Sequence, residues 1–340
     1  MYGFWIVNKY ENIISVYKET EIFLKKNPSL FEELCSFIAA SRVLQDLIPQ
    51  TVEKVCSGHF FPCSESYDEL ENAYQLCFFG FYKYSFIALR NVLELGLLSV
   101  YWDKQNKSQI DIQNWLKSKE DTPRIKEILS GLLKVKNIEI FSRKIDIQKK
   151  VKSIYNVLSD FVHTKGYSYS SYAQRRSNVN YFNKDALKRW CIITEKVIQT
   201  VSIVHLLKYP VGLQYYTSLD EKFGLNPPFG GFLRPIQQQT IKQIFNKQTL
   251  DLLQDISNKD EEAIELAKCV NDLPDITDEE FRKQMIEFDK FQIKSQGWDK
   301  WYKNKMQMLN SFSAESKNYK KHSQEIKKLK QWASKNNLIN

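Results

Sequence analysis

Arg90 and Glu94 stand four residues apart inside the stretch from Phe78 to Trp102, FFGFYKYSFIALRNVLELGLLSVYW. On a helix, residues at that spacing share a face one turn apart. The surrounding positions are almost all apolar, the pattern of a helix buried on every side. Lys83 and Asn91 are the only further charged or amide side chains within it. A guanidinium and a carboxylate in such a helix are costly unless both are paired and hydrogen-bonded. A second stretch offers partners: VLSDFVHTKG, Val157 to Gly166, holds Ser159, Asp160 and His163, with Asn156 just ahead of it. The two segments are expected to face each other across a helical core. Two readings of the cluster stay open. In the first, Arg90, Glu94 and Asp160 form an ionic network that fixes helix register, and His163 caps the last carbonyls of its helix. In the second, the same groups carry out phosphate chemistry. His163 is then the acid or base, Arg90 the cation that steadies the phosphate, and Glu94 the residue that orients Arg90.

An Arg and a Glu one turn apart in an apolar helix, a spacer of about sixty residues, and an amphipathic helix ending in a polar group, a His and a Gly make a recognisable order. It resembles the HEPN superfamily of helical domains and its relatives in bacterial defence and toxin–antitoxin settings. The resembling residues are Arg90 and Glu94 in FIALRNVLELGLL and His163 in LSDFVHTKG, and the likeness spans about residues 60–210. It implies a helical bundle, metal-independent cleavage of RNA without a cofactor, and a dimer whose two motifs face each other. The chain departs from the family's Arg-x(4–6)-His motif, whose Arg would fall at Asn156, Val157 or Leu158. Asn156 can orient a phosphate but does not replace the charge. The competing expectation is a HEPN-like scaffold without catalysis that binds a partner protein.

The net charge of +9 is distributed unevenly. From Lys294 to Lys335 there are eleven lysines against three acidic residues, so this tail carries +8 of it. Lys300, Lys303, Lys320 and Lys321, with the Arg175-Arg176 pair further upstream, are the expected nucleic-acid contacts. Trp298, Trp301, Tyr302, Tyr319 and Trp332 interleave with the lysines, as stacking rings do in proteins that hold single strands. The spacing of Trp298, Trp301 and Tyr302 equally fits a packing stripe. Cys56, His59 and Cys63 form C-x2-H-x3-C, but the second tight ligand pair of a zinc site is missing. The expectation is buried thiols and no metal. Six cysteines scattered through 340 residues indicate reduced thiols and a cytoplasmic protein rather than a disulfide framework.

The elements that must position these groups read as helices. Residues 8–26 are amphipathic and stop at Asn27-Pro28. Ser29, with Glu32 three residues on, reads as a capping box for the next helix, which should break at Pro49. Cys56–Ser66 reads as a loop leading into the central helix, with Gly80 as a close helix contact or a boundary. Ser108 and Thr122-Pro123 open two short helices. A helix from Ile145 to His163 carries Val151, Ile154, Leu158 and Phe161 on one face, and Lys184–Tyr209 forms another. Between them, Lys165–Asn183 is rich in Ser, Tyr and Asn and lacks helical period, so it reads as a surface loop. Tyr209–Pro235 holds four of the nine prolines and reads as a crossover. After it come helices at Gln237–Lys247, Gln248–Ser257, Glu261–Val270 and from Thr277, where Thr277 and Glu280 form a capping box.

The expected fold is all-α: an N-terminal helical extension (1–58), a HEPN-like bundle (59–209), a crossover (210–235) and a charged helical region (236–340). Phe78–Trp102 is long enough to span a bilayer, but its charges argue against a membrane segment. Phosphate-binding glycine loops, a G-x-S-x-G elbow and H-E-x-x-H are all absent, which removes nucleotide-hydrolase, serine-hydrolase and zinc-protease readings.

Overall fold

The computed structural model describes residues 2–48, 60–104, 109–176, 179–214, 219–226, 231–310, 312–313 and 316–339. The protein is all-α; the strands among the described residues are two antiparallel dipeptides, Arg175–Arg176 paired with Val179–Asn180. The chain forms two compact units.

The first unit comprises Met1–Tyr216 and Phe229–Cys269. Its helices are α1 (Tyr2–Lys25), α2 (Pro28–Leu47), α3 (Phe60–Phe78), α4 (Tyr82–Lys104), α5 (Gln109–Leu116), α6 (Ile125–Leu132), α7 (Lys136–Ser142), α8 (Ile147–Val162) and α9 (Lys184–Lys208). After an excursion into the second unit come α11 (Pro235–Lys242), α12 (Lys247–Ser257) and the start of α13 (Glu261–Asp272). Helix α4 lies at the centre and packs on α3, α6, α8 and α9. Its Leu89, Val92, Leu93 and Leu97 share one core with Val151, Leu158 and Phe161 of α8 and with Val197, Val201 and Val204 of α9. Gly96 lets α4 and α9 approach closely: a Cβ there would stand 2.6 Å from Val201 Cγ1. Buried hydroxyls tie α3 to α4, Ser66 Oγ donating to Val92 O (2.8 Å) and Ser85 Oγ to Ala73 O (2.7 Å).

The long apolar stretch is one helix from Tyr82 onward, and Gly80 is the boundary before it. Gly80 at φ +80° lies between α3 and α4; Phe81 N–H donates to Leu76 O and Gly80 N–H to Cys77 O. These two bonds close a helix end around a left-handed glycine. Helix α3 already begins at Phe60, where a loop is expected, and Pro62 is tolerated in its first turn. Nor does Ser29 open α2. Pro28 is its first residue, Asn27 precedes it, and no side chain caps that end. The Thr122-Pro123 start is displaced to Ile125. Helix α7 is an element the sequence reading lacked.

The second unit comprises Thr217–Pro228 and Val270–Asn340 and contains α10 (Leu219–Phe223), α14 (Asp278–Gln296), α15 (Trp298–Leu309) and α16 (Lys317–Lys335). Ile293, Trp298, Trp301, Leu329 and Ala333 form its core. Asp289, itself buried, accepts from Trp301 Nε1 (3.0 Å) and pairs with Lys305 (2.8 Å). The 217–228 segment is held by Ile276 N–H donating to Glu221 O and Gln284 Nε2 to Phe223 O. Thr277 and Glu280 make the expected capping box at α14.

The boundaries expected at 58, 209 and 235 do not coincide with these units. Helix α2 buries Leu34, Leu44 and Leu47 in the same core as α4 and α9, and α11 and α12 add Ile241, Leu253 and Ile256 to it. Among the described residues one helix, α9, is long and apolar enough to cross a membrane by length and composition; most of its apolar window is buried inside the first unit.

Candidate functional site

Helix α8 owes its position to its pattern. Asp146 caps its start, accepting from Lys149 N–H (2.9 Å), and Ile147, Val151, Ile154, Leu158 and Phe161 form the buried face. The opposite side carries Asn156, Asp160 and His163 at i, i+4 and i+7 spacing, which places them on one face. They line an open depression of about 530 Å3 with Ser159 and Lys165. Lys165 Nζ stands 3.2 Å from Asp160 Oδ1. The helix ends at His163, whose own N–H donates to Ser159 O. Lys165 N–H then donates to Asp160 O (2.9 Å) and Thr164 N–H to Phe161 O (3.3 Å). Thr164 takes φ +48°, the left-handed conformation that such an end requires and that a β-branched residue adopts only with strain. Its hydroxyl accepts from Lys83 Nζ at 2.6 Å, so Lys83 of α4 is fastened to the end of α8.

Arg90 and Glu94 form the expected one-turn pair, Nε to Oε1 at 3.2 Å. The residue facing Arg90 across the helix interface is Tyr155. The guanidinium donates to Tyr155 Oη (2.6 Å) and lies 4.7 Å from the centre of its ring. Tyr155 and His163 are eight residues apart on α8, about 12 Å along its axis. The structure therefore brings Asn156, Asp160 and His163 together but directs Arg90 and Glu94 to a place two turns away. The two helices do face each other, as expected, and Arg90 is turned toward Tyr155, which supplies both an acceptor and an aromatic face. Lys165 is the cation that shares the depression with His163.

Arg189 of α9 is a further cation near the end of α8. It lies 5.1 Å from the Phe161 ring, 5.4 Å from Tyr169 and 5.9 Å from Phe86, and Phe86 stacks on Phe161 at 4.1 Å. A guanidinium tolerates such surroundings because the ring faces are negative. It anchors the segment that follows α8 onto the core. Arg175 and Arg176 belong to the small hairpin beyond; their side chains lie outside the described residues.

In the second unit, Trp298 and Trp301 are buried and Trp332 is half-buried, so the aromatic stripe packs the core. Tyr302 is the exposed ring, stacked on Trp298 at 5.5 Å. Lys300 and Lys303 on α15 and Lys320, Lys321, Lys327 and Lys328 on α16 are exposed. The last four recur at seven-residue intervals, which aligns them along one face of α16.

Cys56 and His59 lie outside the described residues. Cys63 and Cys77 are buried, and burial pushes the Cys63 thiol up to about 12, so both are packing groups rather than ready thiolates. Among the described residues no three His, Cys, Asp or Glu side chains converge as a metal would need. A separate cavity of about 480 Å3 is lined by Asp103, Asn137, Lys208, Tyr209 and Asp260 with apolar neighbours. Two polar pairs line it, Tyr209 Oη donating to Asp103 (2.8 Å) and Asn137 Nδ2 to Asp260 (2.7 Å).

Compared with family models, with curated proteins and with solved structures, the chain finds no match in any of the three.

Proposed function

We propose that the protein engages RNA, with phosphate contacts from the lysine face of α16 and the neighbouring lysines of α15. The observation that carries this reading is the alignment of Lys320, Lys321, Lys327 and Lys328 on an exposed face whose opposite side is held by Leu329 and Ala333 in a core. Lysines presented by a packed helix release counterions from a polyanion without first having to be ordered. With Trp298 and Trp301 buried, these contacts are to the backbone and carry no base readout. The test is the salt dependence of binding to a fluorescent RNA. Changing all four lysines to Gln is expected to weaken binding and to lower the slope of log affinity against log salt by about 3 for a single strand. Equal slopes for wild type and variant would refute it.

A finer form of the reading, suggested by the HEPN resemblance, is a metal-independent ribonuclease acting in bacterial defence or a toxin–antitoxin pair. It is favoured by His163 lying in an open depression with Lys165 as the cation for a phosphate. Cleavage of tRNA in EDTA by wild type, lost in His163→Ala, would support it. A wild-type chain that binds RNA but leaves it intact would sink it and leave a binding scaffold.

A further inference from the structure

Two tyrosines beside the end of α8 are presented to solvent rather than to the core. Tyr167 is 66% exposed and Tyr172 65%, and their rings meet edge-to-face with centres 5.8 Å apart. Their segment is well fixed. Gly166 turns the chain at φ +75°, Ser170 Oγ donates to Tyr167 O (2.7 Å), and Ala173 N–H donates back to Ser170 Oγ (3.2 Å). Between the two exposed rings, Tyr169 points the other way, edge-on to Phe161 and against Arg189. One ring thus anchors the segment while its neighbours are held outward with little conformational freedom left to lose.

The surroundings are cationic. Lys165 precedes the segment, and Lys83 is bonded to Thr164. Asp160, 3.2 Å from Lys165, is the carboxylate of this region. A crevice shared by Lys83, Tyr84, Ser171 and Gln174 borders the segment, and Tyr84 is 48% exposed. Exposed flat rings beside ammonium groups are what an unpaired nucleic-acid strand requires: stacking faces for bases and cations for phosphates.

We infer that Tyr167 and Tyr172 form a stacking platform for unpaired bases, so that the first unit selects single-stranded RNA. This rests on the RNA reading above but adds a preference that the lysine face cannot supply, since phosphates are present in single strands and duplexes alike.

The test uses the full chain with two probes, a fluorescent unstructured RNA 20-mer and a 20-base-pair RNA duplex, with circular dichroism confirming the fold of each variant. Tyr167→Ala with Tyr172→Ala is expected to weaken single-strand binding at least about fivefold for each ring removed and to leave duplex binding unchanged. Phe at both positions should restore single-strand affinity. The four-lysine variant should lose affinity for both probes. If the lysine variant loses binding while the double Ala variant keeps its single-strand affinity, the platform is refuted and RNA engagement stands. If wild type binds neither probe, both are refuted. If Ala and Phe variants weaken both probes equally, the tyrosines act on structure rather than on bases, and the inference fails.

Discussion

Gly96→Ala separates two opposing effects at a close helix approach in the first unit. Replacing a helix-interior glycine with alanine stabilises a helix by about 1 kcal/mol when nothing else changes. Here the new Cβ would stand 2.6 Å from Val201 Cγ1 and 2.9 Å from Cγ2. Carbon atoms in contact sit about 3.5–4.0 Å apart, so α4 and α9 must separate by roughly 1 Å. Val201 cannot swing aside, because a β-branched side chain on a helix has essentially one rotamer. Overpacking of this kind costs about 1–3 kcal/mol, and the movement of two long core helices belongs in the upper half of that range. The net expectation is a loss of about 1–2 kcal/mol, read as a lower midpoint in thermal melts followed by circular dichroism. Val201→Ala removes both clashing methyls. In that background the same Gly96→Ala change should stabilise, since Cβ then fills vacated space and the helix gain is kept. A reversal of sign between backgrounds is the signature. Equal effects in both, or a Gly96→Ala protein as stable as wild type, would refute the close-approach argument.

Other changes have equally definite expectations. Burial lowers the His205 pKa to about 4 from an ordinary 6.5, so the unfolded chain takes up a proton first as pH falls. Stability is fully present above about 6.5 and falls toward 4, by up to about 3 kcal/mol. His205→Leu should flatten this limb in urea titrations across that range; an unchanged limb would discount the residue. Tyr155→Phe removes the acceptor of Arg90 and should cost about 1 kcal/mol in denaturant melts, and no loss beyond error would show the contact to be idle. Thr277→Ala removes the α14 cap and should cost about 1 kcal/mol, visible as faster amide exchange in the first turn of α14. Exchange there at the wild-type rate would contradict the assigned cap.

Where a sequence pattern had one physical solution, it could be read. Val151, Ile154, Leu158 and Phe161 recur at helical spacing, and α8 buries that face. Thr277 and Glu280 stand at capping-box spacing, and both reciprocal bonds form. Two exposed tyrosines in a serine-rich segment without helical period were legible only as a loop, because exposure depends on where Tyr169 anchors. Gly80 was legible as a close contact or a boundary but not which, because apolar residues continue across it on both sides and only the left-handed backbone ends α3. Arg90 and Glu94 were recognisable as a pair. Their partner was not, since Tyr155 looks like any half-buried ring of an amphipathic helix. The unit boundaries were the least legible, because α2, α11 and α12 join α4 through contacts between residues far apart in sequence.

That interleaving has a consequence for synthesis. The first unit needs residues from both sides of the 217–228 segment, and Leu253 and Ile256 of its core lie beyond that segment. A ribosome therefore delivers part of the second unit before the first is complete, and the nascent chain must hold α4 and α9 with one flank of their core still missing. Three chain passages join the units, at 216–217, 228–229 and 269–270. A single proteolytic nick at any one of them would divide the chain into two fragments, held together by the non-covalent packing inside whichever unit each fragment shares.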